Sequence, residues 1–259
     1  MTVILRDVFA DTWDSTSAFD EVRKLQGTTI REKEGRRTLR FDFADKRFYL
    51  KHHRGVGWPE ILKNWSQFKA PVTGAANEWQ AINKLTEIGI HTLTPVAYGV
   101  RGKNPAKRES FLITQELIGT VSLAKYTENW PSRPPPFPEK KQLIEAVAHI
   151  ARHLHQQGIN HRDLYICHLL LNQASSKTSS PVLHLVDLHR AQCRAKVPYR
   201  WLVKDVGSLY FSSADIGLTQ RDVFRFLRIY FDKPLRRILN EDRRFLLAAR
   251  SRAVHLYRG

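Results

Sequence analysis

The chain has 259 residues but only two cysteines, Cys167 and Cys193, and they form no C-x-x-C pair. That argues against a disulfide scaffold or a cysteine-rich zinc site and suits a reducing compartment. No run of 18 apolar residues occurs, so no transmembrane helix is expected. The segment Met1-Thr2-Val3-Ile4-Leu5-Arg6-Asp7 lacks a long apolar stretch, and no signal peptide is expected either. There is no internal repeat. Negative charge is also scarce, with 25 Asp+Glu against 42 Lys+Arg.

The resulting net charge of +17 implies an anionic partner such as nucleic acid, acidic lipid or a phosphorylated small molecule. From His189 to Gly259 there are 16 Lys+Arg against 6 Asp+Glu, so ten of the seventeen excess charges lie there. With 42% hydrophobic residues the chain has enough apolar side chains for a sizeable core.

The first part reads as strands. Thr28–Arg31 and Thr38–Phe43 flank Glu34-Gly35-Arg36-Arg37 as a hairpin, and Arg47–Lys51 is a third strand. Pro59–Phe68 reads as a helix with Ile61, Leu62, Trp65 and Phe68 on one face. Asn77–Ile88 reads as another, stopped by Gly89. Phe111–Thr114 is a strand leading into Gln115-Glu116-Leu117. Pro131–Pro138 reads as a stiff, non-helical connector, and Glu139–Gln157 as a long helix ending at Gly158. Two apolar strands, Leu169–Leu171 and Val182–Val186, follow, separated by a polar loop. The rest reads as helices. This order predicts an α+β, bilobed fold. A small β-rich lobe over 1–118, with a five-stranded sheet and a helix, precedes a larger helical lobe over 119–259.

The chemistry concentrates in His161-Arg162-Asp163-Leu164-Tyr165-Ile166-Cys167-His168 and Val186-Asp187-Leu188. Asp163 lies on a loop after the long helix, where a carboxylate can take the proton of an attacking hydroxyl. Asp187 closes an apolar strand. An acid there is costly unless paired or metal-bound, and Mg²⁺ bridging two phosphates fits. His168 stands where kinases carry Asn, although Mg²⁺ prefers oxygen ligands. It is a candidate for metal ligation, phosphate contact or a hydrogen bond to Asp187. Lys51 ends a strand and Glu78 opens the following helix, a pairing that can hold the α- and β-phosphates. Gly35 is the lone glycine of the first hairpin, a poor glycine-rich loop, with Arg36 and Arg37 beside it to supply charge. Glu116 and Leu117 fall between the lobes, where backbone groups can read an adenine edge. Asp205 is placed to brace the catalytic loop. His149 and His153 have i,i+4 spacing, but no third zinc ligand stands out and a structural role is expected.

These phrases resemble the lipopolysaccharide core heptose(I) kinases, the WaaP type, within the protein-kinase-like superfamily. The resemblance rests on residues 34–40, 51–58, 160–168, 186–192 and 213–219. It implies transfer of phosphate from ATP, with Mg²⁺, to the 4-hydroxyl of the first heptose of the lipopolysaccharide inner core. Asp163 would be the base, Asp187 and His168 would serve the metal, and Lys51 the phosphates. It also implies peripheral residence at the cytoplasmic face of the inner membrane. Only 17 residues separate Asp187 from Asp205, too few for the segment with which protein kinases seat a peptide. That favours a bulky anionic amphiphile as acceptor. Other readings are a kinase for heptose II or Kdo, a protein tyrosine kinase, and a non-catalytic basic module. Acyl carrier protein is a conceivable acidic partner, and no nucleic acid is expected. Thr219–Phe231, with Val223, Phe226, Leu227 and Tyr230 opposite Arg221, Arg225 and Arg228, is a candidate membrane-surface helix. The Pro59–Phe68 segment, flanked by Trp58 and Lys69, is a second.

Overall fold

The computed structural model describes residues 1–33, 35–55, 74–104, 106–176, 178 and 180–258. The helix expected over Pro59–Phe68 lies outside the described residues. The chain divides into two compact units, Met1–Asn83 with Leu93–Leu117, and Lys84–Thr92 with Ile118–Gly259.

The first unit is built on an antiparallel sheet of six strands, one more than the sequence suggested. They are β1 (Thr2–Leu5), β2 (Thr28–Lys33), β3 (Arg36–Phe43), β4 (Lys46–His53), β5 (Pro95–Arg101) and β6 (Glu109–Gln115), ordered β1-β5-β6-β4-β3-β2. The extra edge strand β1 has only four residues, too short for a period-2 pattern to show. Alternation does show in β3 and β4, where Leu39, Phe41, Phe48 and Leu50 point into the core. Helices α1 (Val8–Thr12) and α2 (Ala18–Lys24) cover that face with Phe9, Phe19 and Val22. Phe9 stacks on Phe43 at 4.9 Å and meets Phe48 edge-on at 5.1 Å. The expected first hairpin is present as β2–β3, with Lys33 paired to Arg36. Helix α3 (Ala76–Glu87) packs through Ala81, Ile82 and Leu85, and its Trp79 stacks on Tyr98 at 4.8 Å.

The second unit is mainly helical. It contains α4 (Leu123–Tyr126), α5 (Phe137–Gln156), α6 (Tyr199–Ser212), α7 (Gln220–Phe231), α8 (Leu235–Glu241) and α9 (Arg243–Arg258). Three short strands, β7 (Thr120–Ser122), β9 (Leu169–Asn172) and β10 (Leu183–Leu185), form one sheet. β8 (Ile159–Asn160) pairs with β11 (Gln192–Cys193). Pro138 lies inside the first turn of α5, contrary to the expected non-helical stretch through that residue. A first-turn proline gives up an N–H that has no intrahelical partner anyway. Gly158 follows α5 at φ 75°, and a Cβ there would collide with the Arg194 carbonyl.

The membrane-surface reading of α7 is overturned for its apolar face. Phe226, Tyr230 and Phe231 pack against Val206, Phe245 and Ala249, and Phe231 meets Phe245 edge-on at 5.3 Å. Arg225 folds back onto Asp222 at 3.0 Å, leaving Arg221 and Arg228 exposed. Among the described residues no helix is long and apolar enough to cross a membrane.

Candidate active site

The helix α5 delivers the chain to β8, and the loop after it carries His161, Arg162 and Asp163. This loop is held from below by Asp205, a fully buried residue of α6. Its carboxylate accepts the His161 and Arg162 backbone N–H groups, both at 2.7 Å, and faces His155 Nε2 at 3.3 Å. Arg162 sits at φ 74°, a left-handed conformation that costs a non-glycine residue about 1 kcal/mol or more. The charge-assisted bonds to Asp205 offset that strain and fix where the next residue, Asp163, projects.

The Asp163 carboxylate is only 15% exposed. Arg190 Nη1 donates to both of its oxygens, at 3.0 and 2.9 Å, and Lys204 Nζ lies 3.7 Å from Oδ1. Neither cation was singled out by the sequence reading. The available signal was weak: Arg190 lies three residues after Asp187, and Lys204 immediately precedes Asp205.

Asp187 takes the left-handed conformation (φ 61°, ψ 52°) just beyond β10. His189 Nδ1 donates to its Oδ1 at 2.6 Å, and His168 Nε2 lies 3.4 Å from Oδ2. His168, in the 3₁₀ turn Ile166–His168, donates from Nδ1 to the Asp163 carbonyl at 2.8 Å. Its ring stacks on that of His161, whose Nε2 donates to the Val186 carbonyl at 2.9 Å. Burial holds His161 below the ordinary imidazole value, hence neutral. His168 is shifted the other way, up to about 9. Its hydrogen bond with Cys167 is the largest cause and outweighs burial, with the Asp163 carbonyl and Asp187 adding to it.

In the first unit, Lys51 on β4 and Glu78 in the first turn of α3 meet. Lys51 Nζ donates to Oε1 at 2.7 Å and to Oε2 at 3.0 Å, with the Glu78 side chain 3% exposed. Gly35 stands at φ 73° between β2 and β3, and its carbonyl accepts from Arg54 N–H at 2.8 Å. A Cβ there would come within 2.7 Å of the Gly55 carbonyl, so a close backbone approach requires this glycine. The Glu116 N–H donates to the Arg47 carbonyl at 2.9 Å, and its side chain ties to Arg40, Arg47 and Tyr49. Of its backbone groups, only the carbonyl remains to offer a ligand. Leu117 follows it as the last residue of the unit. The structure therefore brings Lys51 to Glu78, and Asp187 to His168 and His189. Glu116 and Gly35 are committed largely to local structure.

His153 donates to the Ile88 carbonyl at 2.9 Å, and His155 bonds Tyr230 Oη at 2.8 Å. No group of three metal-ligating side chains occurs among the described residues.

A mixed α+β fold with this loop arrangement defines a kinase-like phosphotransferase. Residues 20–230 match the lipopolysaccharide kinase (Kdo/WaaP) family, and the chain belongs to that family. It is 47% identical over 263 residues to the lipopolysaccharide core heptose(I) kinase WaaP of Pseudomonas aeruginosa, covering 99% of this chain and 96% of that protein. It is 46% identical over 255 residues to its counterpart from Escherichia coli, covering 98% and 96%. A solved structure of WaaP in complex with acyl carrier protein superimposes with a TM-score of 0.87 at 43% identity, over 99% of this chain and 100% of that one.

Membership in a kinase family implies ATP with Mg²⁺. The donor set fits a Mg²⁺ site. Mg²⁺ takes one or two protein ligands and leaves the rest to phosphate and water, so a three-residue cage is not needed. Asp187 could supply hard oxygen ligands. His168, oriented through Nδ1, places Nε2 3.4 Å from Asp187 Oδ2, where it could ligate the same cation or pair with Asp187.

Proposed function

We propose that this chain transfers the γ-phosphate of ATP to the 4-hydroxyl of heptose I in the lipopolysaccharide inner core. The observation that carries the reading is end-to-end likeness to two heptose(I) kinases in a chain that keeps a braced Asp163, Asp187 and a Lys51–Glu78 pair. Asp163 accepts the proton of the attacking heptose hydroxyl. Lys51, held by Glu78, neutralises charge on the α- and β-phosphates, and the turn carrying Gly35 lies in the same unit. Glu116 and Leu117 offer backbone groups to the adenine edge. Asp187, with His168, would hold Mg²⁺, which supplies charge neutralisation for the leaving phosphates. The acceptor lies on lipid A, so the enzyme works peripherally at the cytoplasmic face of the inner membrane. Its basic surface there meets anionic lipid and sugar acids.

Acyl carrier protein is the second partner in this reading. The second unit contains a cavity of about 250 Å³ lined almost wholly by apolar side chains, among them Leu143, Ile144, Leu209, Phe226 and Leu246. That lining suits the acyl chain such a carrier bears, and the excess of positive charge suits an acidic protein.

The test is incubation with Mg-ATP and underphosphorylated core lipopolysaccharide, with the new phosphate located by mass spectrometry and NMR. Phosphate on heptose I is expected. Phosphate on heptose II or Kdo would redirect the assignment to a neighbouring sugar, and phosphotyrosine on the protein alone would favour a protein kinase. Full activity in a folded Asp163→Asn variant would remove the proposed base.

A further inference from the structure

The surroundings of Asp163 carry more positive charge than the base needs. Arg190 already spans both of its oxygens, yet Lys204 lies 3.7 Å away with its side chain only 18% exposed. Arg162 is 9% exposed, and its guanidinium lies 4.7 Å from the Trp201 ring centre. Arg162 Nε has no hydrogen-bond partner. Lys204 and Arg200 contact the same indole, at 5.6 and 5.0 Å. The nearby Asp205 compensates only in part: it favours the charged Arg162, but less than Asp163 does, and its oxygens already accept the loop N–H groups. Arg190 and Lys204 therefore share the Asp163 carboxylate, and Arg162 beside them has only Asp163 and, more weakly, Asp205 as counter-charges. Burial and the repulsion of Arg190, Arg162 and Arg252 push the Lys204 ammonium below its usual range, with only Asp163 opposing. Burying cations without matching anions is costly, and such an arrangement points to a missing negative group.

We propose that Arg162, Arg190 and Lys204 form a receiving site beside Asp163 for one anionic group, a phosphate or carboxylate of the substrates. In the free protein Asp163 occupies part of this site. An incoming anion draws Arg190 and Lys204 onto itself and leaves the Asp163 oxygens open to the acceptor hydroxyl. Two sources have the right chemistry: the phosphoryl group in transfer, and an acidic group of the acceptor next to the reacting sugar. The inference rests on the reading of Asp163 as the base.

Lys204→Met and Lys204→Arg are the test, with kcat and KM read separately for ATP and acceptor. Lys204→Met is expected to lose at least tenfold in kcat/KM and Lys204→Arg to recover most of it. A rise in acceptor KM assigns the site to the acceptor's acidic group. A fall in kcat at saturation assigns it to the phosphoryl group. Parent-like kinetics of Lys204→Met would overturn the proposal. So would Lys204→Arg being as defective as Lys204→Met while melting like the parent, since that pattern marks a packing role. Should Lys204→Met not fold, sulfate binding to the unaltered protein, read by calorimetry, replaces it. Sulfate is expected to bind competitively with a substrate and more tightly to Asp163→Asn, where the cations lose their carboxylate. Absence of both effects refutes the site. Because that measurement needs no turnover, failure of the anion site and failure of the assignment of Asp163 as base give different results.

Discussion

A carboxylate can serve as a base only if its position is fixed and its charge is kept. At Asp163, the base proposed above, Asp205 fixes the loop from below, and Arg190 and Lys204 lie against the carboxylate. Asp205→Asn replaces one acceptor oxygen by an amide that faces an N–H. The variant is expected to lose about 2–4 kcal/mol of stability, the range for two charge-assisted hydrogen bonds weakened at a buried site. Urea unfolding measures it, and a parent-like midpoint would contradict the bracing role. Lys51→Met should lower kcat by about a hundredfold or more, as removal of a charge-stabilising group does. The change leaves Glu78 buried without Lys51, so the double variant Lys51→Met/Glu78→Leu separates the two effects. It should recover stability in urea unfolding but not activity; recovered activity would deny Lys51 a role at the phosphates. Asp163 and Asp187 were conspicuous in the sequence because each lies in a short phrase whose residue types are rare together. Arg190, Lys204 and His189 were not. Their meaning comes from contacts made through space, and no spacing rule connects a lysine of α6 to the loop after β8.

Elements were legible in proportion to the length of their pattern. α5 and α7 were readable because 20 and 12 residues repeat an apolar face. β3 and β4 were readable because their inward positions alternate over eight residues each. β1, β7, β8 and β11 were not, since two to four residues carry no period and form only because a partner strand waits. The face of α7 was legible, but not what it faces: an apolar stripe reads the same against lipid as against Phe245. The start of α7 is a local matter and gives a clean prediction. Thr219 Oγ1 accepts the Asp222 N–H at 3.3 Å, and Asp222 Oδ2 accepts the Thr219 N–H at 2.9 Å, a reciprocal cap. Asp222 is also paired with Lys140 of α5 at 2.9 Å, so the cap joins two helices. Thr219→Ala is expected to cost about 1 kcal/mol, seen as a lower urea midpoint with unchanged slope. No change in midpoint would mean that Lys140 alone holds this end.

At the scale of the whole molecule, both units contain histidines buried in the neutral state. In the first unit, burial pushes His52 below the ordinary imidazole value even though Glu109, 2.9 Å away, pulls the other way. In the second, His161 and His184 are also depressed, each chiefly by burial. A group whose folded pKa lies below its unfolded value binds more protons when unfolded. Stability therefore rises with pH through that interval and is lost as pH falls below about 6.5, by at most about 1.4 kcal/mol per pH unit for each proton. Glu109 acts in a lower range. Burial alone would raise its pKa, but hydrogen bonds from His52 and Arg101 hold it below the usual carboxylate value, so its contribution disappears only in stronger acid. Added protons also increase a charge that is already +17, and self-repulsion works in the same direction. His168, raised to about 9, works the other way: its contribution is fully present below about 6.5 and is lost as pH rises toward 9, so it offsets part of the change. With three depressed imidazoles against one raised, and self-repulsion added, urea unfolding at pH 7.5 and 5.5 should still show a net loss of stability at the lower pH. His52→Gln, which keeps a donor for Glu109 and cannot titrate there, should reduce that loss, and added salt should reduce it further by screening the net charge. Equal stability at both pH values in a His168→Gln variant, where the opposing imidazole is removed, would show that these imidazoles do not remain neutral inside the fold.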